Sequence, residues 1–342
     1  MHPDFLKKPE NELTLPASDE IQTGRVCGIC NRLSGTLLIR NVETECAVYD
    51  VYYCPACETG SVVPMPREED LSALYTSGRY RSAEGKRFNP VIEFFIYLSR
   101  VLRKQRIKKC VSGGTLLDIG CGRGLFLDIM QRDGWTVAGV EADAETARDI
   151  SKARHIPVKS GGPAEWGFGD GSFDVITMNH VLEHLHDPGE MVRECQRLLR
   201  KGGLLVCAVP NISSLQASVG KGVWFHLDIP YHIYHFSEAG LVNLLGKHLF
   251  RAVQIRRFDI EYGPYGWLQT LLNISGIKKN YLYGLLKNPE LRKEELALSR
   301  KRDMLLTLVL LPLYFPLSLA LSVFESFVLK RGGSVEVFAM KE

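Results

Sequence analysis

Short apolar runs alternate with helical periodicities through the middle of the chain. The runs predict strands at residues 115–119, 136–140, 173–178 and 204–209. Between them, apolar positions three and four residues apart predict helices at 125–132, 144–154 and 191–199. Such alternation is typical of a parallel, doubly wound sheet that binds its ligand at the carboxyl ends of the strands. The pattern therefore predicts an α/β fold.

The segments on either side of this core have different patterns. Residues 36–39 and 48–53 alternate like a β-hairpin, 68–75 and 91–104 have helical spacing, and 333–340 form another strand-like run. Residues 304–324 carry no charge. We therefore predict six regions: a polar tail at 1–24, a cysteine-rich module at 25–64, a helical linker or cap at 65–110, the core at 111–258, a helical insert with an apolar segment at 259–332, and the last strand of the core sheet at 333–342.

Composition limits the partners and the compartment. The 342 residues, 45% hydrophobic and 24% charged, suffice for one large domain with small appendages. A net charge of +3 gives no broad positive field, and no basic-aromatic stripe occurs in the first two thirds, so we expect no nucleic-acid partner. The polar first 22 residues lack the apolar run of a secretory signal, which predicts a cytoplasmic protein.

A glycine-rich turn follows the first core strand. The candidate cofactor-binding residues of this turn are Asp118, Gly120, Cys121, Gly122 and Gly124. A dinucleotide loop would need glycine at position 125, where this chain has Leu125, so pyrophosphate binding and an oxidoreductase are disfavoured. An acid beside close-packing glycines suits S-adenosylmethionine (SAM), a cationic nucleoside without phosphate. Glu141 ends the next strand about 20 residues further on and can bind both ribose hydroxyls.

Two C-x-x-C pairs flank the predicted hairpin. Cys27 and Cys30 form the first pair, and Cys54 and Cys57 form the second. Two such knuckles can close a tetrahedral four-thiolate site with no position left for water, which predicts a structural zinc ribbon. A redox dithiol is the alternative, but such motifs occur singly at a strand-to-helix turn. Cys46 lies outside both pairs and is expected to be packed.

Several segments of the chain resemble class I SAM-dependent methyltransferases, in particular a bacterial branch with an N-terminal zinc ribbon that is often associated with cell-surface glycan biosynthesis. The resemblance covers about residues 25–258 and the final strand. The matching segments are 117–124 (LDIGCGRG), 140–141 (VE), 172–176 (SFDVI), 181–188 (VLEHLHDP), 199–203 (LRKGG), 209–211 (VPN) and 231–237 (YHIYHFS). This resemblance implies a Rossmann-like methyltransferase sheet with SAM as cofactor.

One position departs from the family pattern. Relatives commonly carry an acid just after the third strand to hold the adenine amino group, whereas this chain has Gly161 and Gly162 there. Glu165 is the candidate substitute, and a solvated loop carboxylate is the alternative for it. Asn179, directly after the predicted strand 173–178, is a further candidate for cofactor binding.

Histidines are the candidates for catalysis. Methyl transfer from a sulfonium mainly requires alignment and exclusion of water, but a hydroxyl acceptor benefits from a base with a pKa near neutrality. His180 and His184 follow the strand 173–178, and His232 belongs to a later loop that could close over the acceptor. A lone histidine is more often structural, so the pattern selects these three without choosing one base.

The uncharged segment 304–324 is as long as a membrane-crossing helix. A simple crossing would separate the last strand from its sheet, so we predict a monotopic anchor at the inner face of the cytoplasmic membrane. Pro312 and Pro316 suggest a bent or re-entrant hairpin, and basic residues flank both ends. A buried helical pair or a homo-oligomer interface is the alternative.

These features favour a SAM-dependent methyltransferase that O-methylates a glycan, a glycolipid or another lipid-linked precursor. One alternative is a sugar C-methyltransferase acting on a nucleotide-linked keto sugar, because that group also carries an N-terminal zinc module. We do not expect this chain to carry the longer C-terminal domain of that group. A non-catalytic SAM-binding or zinc-ribbon scaffold at the membrane is the alternative from another class, and the intact glycine turn with Glu141 argues against it.

Overall fold

The computed structural model describes residues 26–44, 46–67, 69–71, 88, 90–287, 292–293, 296 and 301–342. The predicted tail at 1–24 lies outside this set, as does most of the predicted helix 68–75, of which residues 69–71 are described and helical. Within the described residues the strands are β1 (Thr36–Glu43), β2 (Val48–Cys54), β3 (Thr59–Val63), β4 (Thr115–Ile119), β5 (Thr136–Val140), β6 (Val158–Lys159), β7 (Phe173–Asn179), β8 (Leu199–Pro210), β9 (Tyr234–Phe236), β10 (Phe250–Arg256) and β11 (Ser334–Lys341).

Several helices begin where the sequence supplies caps. Asp143 caps its helix by accepting a hydrogen bond from Thr146 N at 2.7 Å, and Asp187 does the same for Glu190 N at 2.7 Å. The described α-helices longer than one turn are α1 (Pro90–Cys110), α2 (Leu125–Arg132), α3 (Ala144–Arg154), α4 (Pro188–Leu198), α5 (Leu215–Gly220), α6 (Glu238–Lys247), α7 (Gly263–Ile274), α8 (Tyr281–Leu286) and α9 (Lys301–Val323).

Seven strands form the central sheet, in the order β10-β11-β8-β7-β4-β5-β6. Strands β4 to β8 run parallel, and β11 pairs antiparallel with both β8 and β10. The chain moves outward from β4 to β6 and then returns to β7 on the other side of β4. The strand order therefore reverses between β4 and β7, which is where open α/β sheets bind their ligands. The predicted Rossmann-like methyltransferase sheet is confirmed.

Apolar side chains from neighbouring strands pack into the core on both faces of this sheet. Leu117, Ile176, Leu205 and Val337 have no exposed surface. Near-continuous apolar strands are expected when helices cover both faces of a parallel sheet. The last strand is part of this core although about eighty residues separate it from β10, so the expected position of residues 333–340 is confirmed.

The cysteine-rich module is joined to the core by a shared sheet. Strands β1, β2 and β3 form an antiparallel sheet whose fourth strand is β9. Gly60 lies opposite His235 in this pairing, and a side chain on Gly60 would crowd His235 and Ile212. The sequence did not predict this shared sheet. Cys46 is exposed, so the expectation that it is packed was wrong.

Helix α9 runs without interruption along one side of the molecule. Pro312 and Pro316 lie inside it, and a π-helical turn at Phe324–Val328 continues it. The expected bent or re-entrant hairpin is therefore wrong. Within the described residues, α9 packs on α7 through Leu306 and Leu310, but much of the apolar surface of α9 stays exposed. The two helices therefore do not form the buried helical pair that was the alternative.

Candidate functional site

The turn after β4 is held by backbone hydrogen bonds. Gly120 N and Cys121 N both donate to Val140 O, at 2.8 and 3.0 Å. Gly120 and Gly122 have φ angles of +71° and +57°, a region that favours glycine. A side chain on Gly120 would collide with Val181, whereas one on Gly122 would meet nothing within 4 Å. The turn is therefore packed on one side and leaves open space at Gly122.

The remaining residues of the turn lead into α2. Gly124, with φ of +65°, directly precedes this helix, and Cys121 is buried with its Sγ against Gly139. Arg154 Nε donates to Arg123 O at 2.8 Å and ties the turn to α3. Local hydrogen bonds thus hold the turn in its shape.

The Glu141 carboxylate lies at the end of β5, next to this turn. Its Oε2 accepts a hydrogen bond from Gly122 N at 2.9 Å and its Oε1 accepts one from Ala142 N at 3.1 Å. Glu141 is only 1% exposed. This arrangement orients the group, and an ionised carboxylate can accept about four hydrogen bonds in total. It fits the predicted ribose site.

Asp118 is buried at the end of β4. Thr177 Oγ1 donates a hydrogen bond to Asp118 Oδ1 at 2.6 Å. Burial raises the pKa of Asp118 to about 6, and the hydrogen bond from Thr177 and the charge of Arg103 oppose this rise only in part. The carboxyl group is ionised at neutral pH and places a negative charge at this edge of the sheet, where it can attract a cationic ligand.

A buried arginine from α1 reaches the same edge of the sheet. Arg103 Nε donates to Glu336 Oε1 at 2.8 Å, and Arg103 also donates to the side-chain oxygen of Asn179. Asn179 was predicted as a cofactor-binding residue, and the structure places it here, in an arginine-carboxylate network. Arg103 itself was missed. The signal was an arginine in register with Ile96 and Ile107, in the buried stripe of α1.

Glu165 belongs to the short helical turn at Pro163–Glu165. Its Oε1 accepts a hydrogen bond from Gly162 N at 3.0 Å, so the side chain caps this turn. The residue is exposed. Glu165 remains a prediction for adenine binding, with a local structural role already evident.

The three predicted catalytic histidines surround Glu183, which is 1% exposed. His180 Nδ1 is 3.2 Å from Glu183 Oε1, and His232 Nε2 is 3.9 Å from the same oxygen. The rings of His184 and His232 lie 4.7 Å apart between centroids. Burial by itself raises the pKa of Glu183. The opposing effects are stronger and lower this pKa to about 2: they are the hydrogen bond from His180 and the charges of His180, His184 and His232. The structure therefore brings all three histidines together around one carboxylate.

Two further histidines and a tyrosine border this cluster. Burial lowers the pKa of His226 and of His235 to about 3, so both are neutral. Tyr262 stacks against His180, with ring centroids 4.3 Å apart. His180 has a φ of +54°, which is unusual for a residue with a side chain.

The four predicted zinc ligands converge at the base of the β1–β3 sheet. The Sγ atoms of Cys27 and Cys57 are 3.5 Å apart, and those of Cys30 and Cys54 are 3.7 Å apart. Tetrahedral zinc with bonds of about 2.3 Å places its sulfur ligands about 3.8 Å from one another. All four sulfur atoms lie within 4.8 Å of one another, so the cluster fits a structural zinc ion.

Part of the chain is similar in sequence to known methyltransferases. Residues 93–255, just under half of the chain, match a family model described as a methyltransferase domain. A ubiquinone biosynthesis O-methyltransferase of Caulobacter sp. (strain K31) is 37% identical over 138 residues, which cover 36% of this chain and 53% of that protein. A protein of Mycolicibacterium smegmatis, named as a probable S-adenosylmethionine-dependent methyltransferase, is 32% identical over 143 residues, covering 41% of this chain and 53% of that protein.

Among solved structures, a SAM-dependent methyltransferase from Archaeoglobus fulgidus is 18% identical, with a TM-score of 0.45, and the match covers 79% of this chain and 99% of that one. The chain spans about half the length of the curated relatives it matches. The residues matched by the methyltransferase family model, 93–255, include the glycine turn, Glu141 and Glu183, which supports the predicted enzyme class.

Proposed function

We propose, from the methyltransferase domain at residues 93–255, that this chain transfers a methyl group from SAM to a hydroxyl group of a membrane-borne acceptor. The observation that carries the cofactor assignment is the Glu141 carboxylate, which two backbone N–H groups orient beside the open glycine turn. Asp118 places a second carboxylate at the end of the neighbouring strand. One acid for the ribose and one for the cationic end of the ligand suit SAM better than a phosphate-bearing nucleotide.

Bound SAM would supply an electrophilic methyl group: the acceptor oxygen would bond to this methyl carbon in line with the breaking carbon–sulfur bond, and S-adenosylhomocysteine would leave as a neutral thioether. The chain then has three tasks: to orient the two reactants, to exclude water and to take up the proton of the acceptor hydroxyl. The glycine turn and Glu141 perform the first task for the cofactor. We propose that the acceptor binds beside the histidine cluster formed by His180, His184 and His232. This cluster lies at the carboxyl edge of the sheet, where His180 and His184 follow β7.

The membrane part of the proposal rests on α9 and its π-helical extension. Together, residues Lys301–Val328 are long and apolar enough to cross a bilayer. However, both ends are attached to the domain. Near one end Asp303 is buried, and near the other Glu325 accepts hydrogen bonds from Gln216 N at 3.0 Å and Trp267 Nε1 at 2.6 Å. A helix of this length is about 42 Å long. Because both of its ends are fixed to the same domain, it could cross a membrane only by detaching from that domain.

The exposed face of this helix therefore suits the plane of a membrane surface. Its outward apolar side chains are 54–64% exposed: Leu305, Leu308, Val309, Leu313, Phe315 and Phe327. Basic residues stand at both ends of the segment: Lys301 and Arg302 are its first two residues, and Lys330 and Arg331 follow it. An apolar stripe between two basic ends matches the acyl boundary and anionic headgroups of a bilayer.

The acceptor follows from this placement. A pocket held at the membrane surface meets the headgroups of lipid-linked molecules, so we propose a glycan, a glycolipid or another lipid-linked precursor at the inner face of the cytoplasmic membrane. Some relatives are named for ubiquinone biosynthesis. We therefore include a lipid-soluble phenol among the proposed lipid-borne acceptors.

Cofactor binding and transfer test the enzyme proposal. Calorimetry on the zinc-loaded full chain should give micromolar binding of SAM and no binding of NADH. Incubation with methyl-tritiated SAM and a membrane extract should then move label into the organic phase. No binding of SAM would reject the methyltransferase, and binding without transfer to any fraction would favour the scaffold. Label confined to water-soluble products would reject the lipid-borne acceptor alone.

Vesicle flotation tests the membrane surface. Leu308→Glu combined with Val309→Glu changes two side chains that are each 63% exposed, so the fold should tolerate both. We expect the double variant to lose binding to anionic vesicles at least about tenfold, because two charges enter the apolar face. Val48→Glu, on the exposed start of β2, is the control. Equal flotation of the double variant and the control would reject the anchor.

A further inference from the structure

Three potential metal ligands lie together in the histidine cluster. Glu183 and His184 belong to the helical turn Leu182–His184, which follows β7, and His232 comes from the loop that leads into β9. One ligand atom from each residue lies within 4.8 Å of the other two. Glu183 and His232 are buried and His184 is half-buried. This group shares no residue with the four-cysteine site.

The hydrogen bonds of the two imidazoles set their tautomers. His184 Nδ1 lies 2.9 Å from Tyr231 O, and His232 Nδ1 lies 2.8 Å from His226 O. Because a carbonyl oxygen can only accept, both Nδ1 atoms carry the hydrogen. In the neutral form of each ring, Nε2 is then the atom with the lone pair. Metal-binding histidines usually have this arrangement, in which a backbone carbonyl holds the other ring nitrogen.

The carboxylate has an unsatisfied atom in the same place. Glu183 Oε1 is near His180 and His232, but Oε2 has no hydrogen-bond partner among the described residues. An ionised carboxylate that is 1% exposed is costly unless it is paired with charge or coordinates a metal. A cation among these three residues would remove that cost.

The backbone holds the two segments at this separation. Ile233 N donates to Glu183 O at 2.9 Å, so the loop that carries His232 is tied to the turn that carries the other two ligands. Val62 N in turn donates to Ile233 O at 3.0 Å, from the ribbon side. The ligand positions are therefore fixed by the fold before any ion binds, which lowers the ordering cost of binding.

We propose that Glu183, His184 and His232 bind one first-row divalent transition-metal ion. Two imidazoles and one carboxylate on one side of an ion suit iron, manganese, cobalt or zinc in their divalent states. Three protein ligands leave further coordination positions open for water or an acceptor oxygen, unlike the closed four-cysteine site. Metal binding at this second site can be measured without SAM or acceptor, so its failure and the failure of the proposed methyl transfer are distinguishable.

Cobalt(II) binding to the zinc-loaded full chain tests the proposal. Equilibrium dialysis should give one cobalt ion per chain in addition to the ribbon zinc. The visible spectrum should show ligand-field bands without the intense thiolate charge-transfer band that a cysteine site produces. No additional cobalt in the wild-type chain would overturn the proposal. A thiolate charge-transfer spectrum would also overturn it, because the ion would then be in the ribbon.

Variants identify the ligands. His232→Gln and Glu183→Gln should each weaken cobalt binding more than about 100-fold, since even changes behind the ligands commonly cost 10- to 100-fold. His155→Asn is the control, because His155 is exposed at the end of α3 with a φ of +54°, which asparagine tolerates. Cobalt binding that is equal in the control and in folded His232→Gln would overturn the assignment. If either variant unfolds, the wild-type stoichiometry alone decides: one extra ion supports the site and none rejects it.

Discussion

Removal of the Glu141 side chain should separate SAM binding from the stability of the fold. The carboxylate accepts two backbone hydrogen bonds, at 2.9 and 3.1 Å, and is expected to accept two more from the ribose of SAM. Hydrogen bonds to charged groups contribute about 1.5–3 kcal/mol each, and water replaces part of this when the group is removed. We therefore expect Glu141→Ala to weaken SAM binding by about 1.5–3 kcal/mol in total, which is roughly 10- to 150-fold.

Calorimetric titration with SAM measures this loss, and thermal denaturation checks the fold. Glu145→Ala is the matched control, because it removes the same charge from an exposed position on the first turn of α3. The control should bind SAM within about twofold of the wild type, since an exposed charge contributes little. Glu141→Ala that folds normally and binds SAM as well as the control would refute the ribose assignment. Equal weakening in both variants would instead point to the overall charge of the domain.

Three further outcomes are expected. Asp118 has a pKa of about 6 and must be ionised to attract a cation, so SAM affinity should be constant above pH 7 and fall by up to about tenfold per pH unit below pH 6. In Asp118→Asn, the affinity measured by calorimetry should be weak at every pH. If the variant keeps the pH dependence, another group is responsible for that dependence. Gly122→Ala should lower the free energy of unfolding by about 1–2 kcal/mol, because Gly122 has a positive φ. Gly120→Ala should lower it by about 1–3 kcal/mol more, because the added methyl group also collides with Val181. Equal denaturation midpoints for the two variants would contradict this packing. Cys54→Ser, or removal of zinc by a chelator, should speed amide hydrogen exchange in β9 as well as in β1–β3, because β3 and β9 are paired. Unchanged exchange in β9 would show that contacts with the core are sufficient to hold this strand.

Much of the fold and of the cofactor site could be predicted because the signals are local in the chain. The strands of the core are short apolar runs, and the glycines with Asp118 occupy a single turn. Glu141 follows at a spacing that one strand-helix-strand unit dictates, and each cysteine knuckle is complete within four residues. Local hydrogen bonds and the periodicity of burial determine such features, and both are visible in the sequence.

The remaining features depend on contacts between distant segments. Periodicity shows which face of an element is apolar but does not name its partner, so it could not predict that the ribbon shares a sheet with β9. Nor could it predict that Arg103 pairs with Glu336, 233 residues away. The orientation of α9 also needed the tertiary structure. Its prolines suggested a hairpin, but the helix is continuous, and it lies along the domain because Asp303 is buried and Glu325 is hydrogen-bonded there.

The histidine cluster shows the same division. Each of its histidines was visible as a candidate after a strand or in a loop, yet a histidine motif alone does not distinguish a base, a structural ring and a metal ligand. Tertiary structure decided that His184 and His232, 48 residues apart in the chain, face the same buried carboxylate of Glu183. The sequence determined which side chains were available, and the packing of β7, the late loop and the ribbon determined which of them meet. The physical reason is that pairing between distant segments is set by the complementarity of whole surfaces, which no local pattern contains.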